Sequence, residues 1–93
     1  MNNLKIQKIR NKLDKVDEKL LFIIKKRINL VNEVIKLKKN RKEIVDRKRI
    51  NFILKKIKMK SVKLKIDPMI SVNIWKEMIK SFIKYEYKKF IKK

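Results

Sequence analysis

The chain has 93 residues and a formal net charge of +21, with 30 Lys and Arg against 9 Asp and Glu. This length bounds it to one small domain, and the absence of Cys and His excludes disulfides, thiol chemistry and histidine-based sites. No stretch approaches the ~18 apolar residues of a membrane span, and the N-terminus lacks the apolar region of a signal peptide. We therefore expect a cytoplasmic protein with no membrane partner.

The basic charge suggests a nucleic-acid partner, but the composition offers another cause. The cations are 25 Lys and only 5 Arg, Ile and Asn are frequent, and Gly and Ala are absent. This composition indicates a coding sequence rich in A and T, in which Lys fills the solvated faces. The charge is therefore a weak indicator of function.

The first predicted element is one long helix over residues 4–39. Its apolar residues recur in steps of three and four, which is a heptad seam: Ile6, Ile9, Leu13, Val16, Leu20, Ile23, Leu30, Val34 and Leu37. Arg27 stands where the seam requires an apolar residue. Such a helix is roughly 54 Å long, whereas a compact domain of this size has a radius of gyration of about 12 Å. We expect a second copy of the chain to cover it, most simply in a symmetric dimer.

A polar loop over residues 40–45 follows, with Asn40 in the left-handed conformation after the helix and Ile44 as an apolar anchor. Asp46 is the predicted N-cap of a second helix over residues 46–60. That helix has one apolar stripe, formed by Ile50, Ile53, Leu54 and Ile57. Residues 61–66 alternate apolar and polar, but they have no partner strand, so a connector is predicted.

Asp67 and Pro68 predict the start of a third helix over residues 67–90, because Asp caps and Pro suits the first helical position. Its apolar face is formed by Trp75, Met78, Ile79 and Phe82. Glu86 takes the next position on that face. The prediction is a single all-α domain over residues 1–93, with one long helix and two shorter ones.

Several polar residues on these helices have two interpretations. Arg27 could extend its guanidinium to the helix edge, or it could bind an anion, since no acid on the same helix lies at pairing distance. Glu86 could be a solvated carboxylate or an interior carboxyl, which burial would keep protonated. Asp46 is accounted for as an N-cap. Arg49 could pair with Asp46 or remain solvated.

Three segments resemble the all-helical (AroQ-class) chorismate mutases, in the same order and at the same spacing. They are IRNKLDKVDEKLLFIIKKRINLVNEVIKLK in helix 1, IVDRKR at the start of helix 2 and DPMISVNIWKEMI at the start of helix 3. The resemblance covers residues 6–86. The joint order and spacing of the three segments carry the resemblance.

The resemblance implies an intertwined homodimer of three-helix chains that forms a six-helix bundle. It also implies an isomerase that converts chorismate to prephenate by a [3,3] rearrangement, a step in phenylalanine and tyrosine biosynthesis. No cofactor or metal is implied. Chorismate is the implied small-molecule substrate, and we do not expect a nucleic-acid partner.

The resemblance also assigns roles to individual residues. It implies that Arg10 reaches into the partner's site and that Arg27 holds a substrate carboxylate. Lys38 is implied to contact a carboxylate and the ether oxygen. Asp46 is implied to lie near the ring hydroxyl, and Arg49 to support the carboxylate end.

Antiparallel pairing of two copies of helix 1 is consistent with these roles. Arg10 and Lys38 both occupy heptad position e, beside the seam that contains Arg27. A crossing centred near residue 24 brings Arg10 of one chain beside Lys38 of the other. Converging cations of this kind suit a small dianion.

The chain departs from the family pattern at three positions. Ile50 replaces a Glu that contacts the ring hydroxyl, and Phe82 replaces a Ser. Glu86 stands where Gln is usual and Glu is occasional, and it is expected to act with Lys38 in catalysis as the protonated acid. Asn51 and Ser81 are the neighbours that could supply the missing polar contacts.

Two alternatives to an active mutase remain open at this point. One is a basic helical module that binds nucleic acid, although Trp75 and Phe82 read as core rather than as a stacking platform. The other is a catalytically weakened mutase-fold domain with a regulatory role, which Ile50 and Phe82 suggest. No further catalytic or regulatory segment is attached, so a monofunctional enzyme is expected, with docking on another pathway enzyme left open.

Overall fold

The computed structural model describes residues 2–90. These residues form three α-helices and one short 3-10 turn, and they contain no strand. The elements are α1 (Asn2–Leu37), the 3-10 turn (Arg41–Glu43), α2 (Arg47–Lys63) and α3 (Pro68–Lys89). The all-α prediction is confirmed, with one long helix and two shorter ones.

The heptad seam of α1 is open to solvent. All nine of its apolar side chains are exposed, from 44% for Ile6 to 81% for Leu37. The Arg27 position of this seam is instead half-buried, as are Ile28 and Val31 beside it, and Ile35 is buried. Each large apolar side chain left in water forgoes about 1.5–3 kcal/mol of burial free energy. Burial of the α1 seam against another apolar surface would therefore stabilise the protein.

The structure divides into two compact units after Glu33, inside α1. The second unit has a small apolar core. It is formed by four buried side chains, from the end of α1, the loop, α3 and the C-cap: Ile35, Ile44, Ile79 and Phe90. Ile44 is only 3% exposed, which confirms it as the anchor of the loop between α1 and α2.

Both later helices begin at the predicted caps. The Asp46 side chain accepts a hydrogen bond from the Arg49 backbone N–H at 2.9 Å, and the Asp67 side chain accepts one from the Met69 N–H at 2.9 Å. Each aspartate satisfies a backbone donor that the first helical turn leaves without a partner. Pro68 follows as the first residue of α3.

A pair of buried serines joins α2 to α3. The Oγ atoms of Ser61 and Ser71 lie 2.5 Å apart, and the Ser61 hydroxyl donates to the Ile57 carbonyl at 2.6 Å. Because the Ser61 proton is used in that bond, the Ser71 hydroxyl is the donor between the two. The chain has no Gly or Ala, so Ser is its smallest residue, and this contact lets the two helices approach closely.

The end of α2 differs from the sequence prediction. Residues 61–63, interpreted as part of a connector, continue the helix to Lys63. Lys65 then adopts φ 59°, while the Ile66 N–H bonds to the Ser61 carbonyl at 2.9 Å and the Lys65 N–H to the Val62 carbonyl at 3.1 Å. These are the two bonds of a Schellman C-cap, in which the left-handed position usually holds Gly.

The prediction for Asn40 is wrong. Asn40 is extended, with φ −147° and ψ 166°, and it caps the 3-10 turn rather than closing α1 in the left-handed conformation. Its side chain accepts a hydrogen bond from the Lys42 N–H at 3.0 Å. The Glu43 carboxylate bonds back to the Asn40 N–H at 3.3 Å, which completes a capping box.

Candidate active site

Lys38 and Glu86 meet in the second unit, although 48 residues separate them in sequence. The Lys38 Nζ donates to the Glu86 Oε1 at 3.0 Å, and the two side chains are only 17% and 11% exposed. The same Nζ lies 3.5 Å from the Ile44 carbonyl oxygen. Lys38 comes just after the last residue of α1, and Glu86 lies in the last turn of α3. The fold thus brings together a lysine and an acid, both expected to act in catalysis, in one partly buried ion pair.

The turn after Lys38 is held by backbone hydrogen bonds to one carboxylate. The Glu43 Oε2 accepts from the N–H groups of Lys39, at 2.5 Å, and Asn40, at 3.3 Å. The bond from the Lys39 N–H, followed by that from Asn40, lowers the pKa of Glu43 below its usual value. This turn leads directly to buried Ile44, whose carbonyl faces Lys38. It therefore fixes one side of the Lys38 environment.

Asp46 and Arg49 do not form a side-chain ion pair within residues 2–90. The Asp46 carboxylate is used as the cap of α2, while the Arg49 guanidinium lies over the Phe52 ring, 5.4 Å from its centroid. Both residues are exposed. The stacking of Arg49 on Phe52 was not predicted. Its signal in the sequence is the spacing of the two residues, since a cation and an aromatic residue three positions apart on a helix lie side by side.

Arg10 and Arg27 lie in the first unit. Arg10 is exposed on α1, whereas Arg27 is half-buried. Arg27 is thus more buried than the apolar residues of its own seam, all nine of which are exposed. Their roles toward a substrate stay predictions.

Apolar side chains occupy the two positions where the family pattern has polar ones. Ile50 and Phe82 are both half-buried, and the Phe82 ring contacts Tyr85 edge to face, with centroids 6.4 Å apart. The proposed substitutes, Asn51 and Ser81, are exposed. Ser81 lines an open depression on α3 with Glu77, Lys80, Ile83 and Lys84, and neither Lys38 nor Glu86 borders it.

The chemistry available at the Lys38–Glu86 pair is that of charge and hydrogen bonding. A lysine ammonium can stabilise negative charge that develops on an oxygen, and it does so more strongly where water is partly excluded. A carboxyl can accept from that lysine when ionised, or donate to an oxygen when protonated. The described residues contain no group of acids that could hold a metal ion. They also contain no helix long and apolar enough to cross a bilayer.

Comparison with known proteins assigns a family. The model of the family described as chorismate mutase type II matches residues 9–87, which include Arg10, Arg27, Lys38, Asp46, Arg49 and Glu86. Searches of curated proteins and of solved structures found no match. A family match over most of the chain agrees with the three-helix architecture. The chain belongs to the chorismate mutase type II family, whose members convert chorismate to prephenate.

Proposed function

We propose that this chain is an active chorismate mutase whose reaction centre is built on Lys38 and Glu86. The observation that carries the proposal is their 3.0 Å contact in a partly buried environment. The two residues come from opposite ends of the second unit, and the resemblance assigns both of them to one site. A purely structural surface ion pair would be more exposed and would contribute little to stability.

The reaction is an intramolecular [3,3] rearrangement. The ether C–O bond of chorismate breaks as a new C–C bond forms, so atoms and electrons balance within one molecule. No covalent intermediate is required. The protein must hold a flexible dianion in the compact conformer that brings the reacting carbons together, and such positioning can supply about 7–11 kcal/mol of barrier reduction in favourable cases.

Lys38 acts on the transition state. Negative charge builds on the ether oxygen as its bond breaks, so a fixed ammonium stabilises the transition state more than the bound substrate. The Ile44 carbonyl and Glu86 hold the Lys38 Nζ in place before the substrate arrives. This preorganisation avoids a costly rearrangement of the charge during the reaction.

Toward the ether oxygen, Glu86 can act only as the protonated acid. A neutral carboxyl can donate a hydrogen bond to the ether oxygen, whereas a carboxylate would repel the charge that develops there.

The remaining cations bind the substrate carboxylates in this proposal. Arg27 and Arg49 each present a guanidinium, which matches a carboxylate in a bidentate geometry. Asp46 is proposed to lie near the ring hydroxyl while it also caps α2. Ile50 and Phe82 provide apolar walls in place of further polar contacts, so binding depends more strongly on the cations.

The working unit is proposed to be a homodimer paired through α1. The nine exposed apolar residues of the seam support this, because two such helices can bury each other's seams. In antiparallel pairing, Arg10 of one chain would enter the site of its partner. The six helices of the pair would form the bundle expected from the sequence. A further contact with another pathway enzyme is compatible with this assembly.

Incubation of the purified protein with chorismate, followed by loss of the substrate's diene absorbance, tests the proposal. We expect saturable turnover to prephenate by the wild type and none by Arg27→Ala, with both proteins dimeric. Lys26→Ala is the matched control, since Lys26 is an exposed neighbouring cation, and it should retain full activity. Absence of wild-type turnover would leave the weakened regulatory domain as the better interpretation, and full activity of Arg27→Ala would remove the Arg27 assignment.

A further inference from the structure

Apart from Arg49, the outward face of α2 is not used by the proposed reaction centre. Helix α2 carries eight Lys and Arg residues, Arg49 among them, and no Asp or Glu, and all eight are exposed. None of them forms an ion pair within residues 2–90. The opposite face carries the half-buried stripe and buried Ser61, through which α2 packs against α3.

Three large apolar side chains lie among these cations. Phe52, Met59 and Val62 are 54%, 64% and 62% exposed. They are separated by seven and three residues, which places them on one narrow line along the helix. The spacing is that of the a and d positions of a heptad, with Phe52 and Met59 at a and Val62 at d. The remaining d position within this segment is Lys55.

Lysines flank this line on both sides. Lys56 and Lys63 fall at position e, and Lys58 falls at position g, where residues of a coiled coil select the charge of the partner helix. The abundance of Lys in the chain alone implies little. The informative combination is a seam of exposed apolar residues with cations at both flanks and no acid on the helix.

We propose that the outward face of α2 is a docking surface for an amphipathic helix of another protein, one with acidic residues beside its apolar seam. Such a helix would cover Phe52, Met59 and Val62 and would pair with the flanking lysines. The apolar line is too narrow for a helix that inserts into a lipid surface, which presents a broad apolar face. A second copy of α2 is disfavoured because its flanks carry the same charge.

A designed peptide tests this directly. The probe is a three-heptad helical peptide with Leu at a and d and Glu at e and g, and its binding to the full chain is followed by fluorescence anisotropy. We expect saturable one-to-one binding, with amide exchange slowed in α2. Two peptides are controls: a scrambled sequence of the same composition, and one with Lys at e and g. Equal binding of the scrambled peptide would overturn the proposal, because attraction to bulk charge would then explain it.

Variants sharpen the test. Met59→Glu should weaken binding of the Glu peptide at least about tenfold, which corresponds to ~1.4 kcal/mol. Met69→Glu is the matched control, since Met69 is 69% exposed on α3, and it should leave binding unchanged. A double variant, Lys56→Glu with Lys63→Glu, should lose the Glu peptide and gain the Lys peptide. Failure of this exchange of partners would contradict pairing at the e positions.

Two other occupants are tested in parallel. Single-stranded RNA and vesicles containing phosphatidylserine are titrated against the wild type and Met59→Glu. If either ligand binds through α2 with the same loss in Met59→Glu, while the Glu peptide does not bind, the proposal is wrong. All these residues are exposed, so the variants should fold, and thermal unfolding verifies that they do.

Discussion

The N-terminal part of α1 exposes every apolar residue of its seam, whereas the second unit, which carries Lys38 and Glu86, buries a small apolar core. Seven seam residues from Ile6 to Leu30 are between 44% and 61% exposed. In the second unit, Ile44 and Ile79 fall below 9%, and even the charged Glu86 is 8% exposed. One region is thus incomplete without a covering surface, whereas the other already assembles a partly dry site within a single chain.

This difference suggests that the two parts of the chain serve different purposes, assembly in α1 and the proposed chemistry in the second unit. A heptad seam with wide exposure is suited to assembly, because its burial supplies free energy only when a second helix arrives. A partly buried ion pair supplies little net stability, since desolvation offsets much of the charge attraction. The Lys38–Glu86 pair therefore adds little to the stability of the fold, which is consistent with the catalytic role proposed for it.

The largest effect is expected from Lys38→Ala. Loss of the ammonium removes stabilisation of the ether oxygen in the transition state, so kcat should fall about 10²–10³-fold while the dimer persists. Lys39→Ala is the matched control, because Lys39 is the next cation along the chain and its side chain is exposed. Steady-state kinetics and light scattering provide the two readouts. Similar kinetic losses in both variants would indicate a general charge effect rather than a site at Lys38.

A charged residue introduced into the seam of α1 should prevent dimer formation without unfolding the chain. Leu20→Glu places a carboxylate in the proposed interface, where burial without a partner costs several kcal/mol, so the protein should become monomeric and lose turnover. Phe22→Glu is the control, since Phe22 is 73% exposed, more than Leu20 at 49%, yet lies off the seam. Sedimentation equilibrium measures the outcome. A dimeric Leu20→Glu protein would place the interface elsewhere.

Substitution of Glu86 tests its role as a hydrogen-bond donor to the ether oxygen. Gln has a similar shape and keeps an N–H donor, whereas Ala removes it, so Glu86→Gln should retain turnover and Glu86→Ala should lose it. Steady-state kinetics measure both variants. Equal loss of kcat/KM in the two variants would exclude a role for a neutral donor at position 86.

The smallest effect concerns the C-cap of α2. Lys65 adopts φ 59°, a conformation that costs a residue with a Cβ roughly 1 kcal/mol relative to Gly. Lys65→Gly should therefore raise the free energy of unfolding by about that amount, as measured by urea denaturation. Lys63→Gly, in the last turn of α2, should lower it by a similar amount. A stabilising effect of both changes would indicate a contribution from lost charge instead.

Local signals predicted the later helix starts well. Asp46 and Asp67 cap where their side chains can reach backbone donors two or three residues ahead, and those bonds need no tertiary information. Asn40 was misassigned because Asn serves in both a left-handed position and an N-cap. The capping box with Glu43, three residues later, was the signal that distinguished them.

Contacts between elements that are distant in sequence were harder to predict. The end of α2 was predicted too early because residues 61–66 alternate apolar and polar, whereas the Ser61 hydroxyl is satisfied by Ile57 and Ser71 and the helix continues to Lys63. The Lys38–Glu86 contact depends on how α3 packs, and no spacing within either helix encodes it. Its two members were nevertheless predicted from the family resemblance. The contribution of Arg10 to a partner's site stays a prediction, because it requires two chains.

The central claim is that α1 pairs two chains and that Arg10 of each chain contributes to the site of its partner. Mixing two inactive variants tests this claim most directly. Arg10→Ala and Lys38→Ala are each expected to be inactive alone. Random exchange of subunits makes half of the dimers mixed, and each mixed dimer contains one intact site and one doubly altered site. The account predicts recovery of about a quarter of wild-type kcat per chain in the mixture. Activity no greater than that of the two variants measured separately would contradict a site shared between chains.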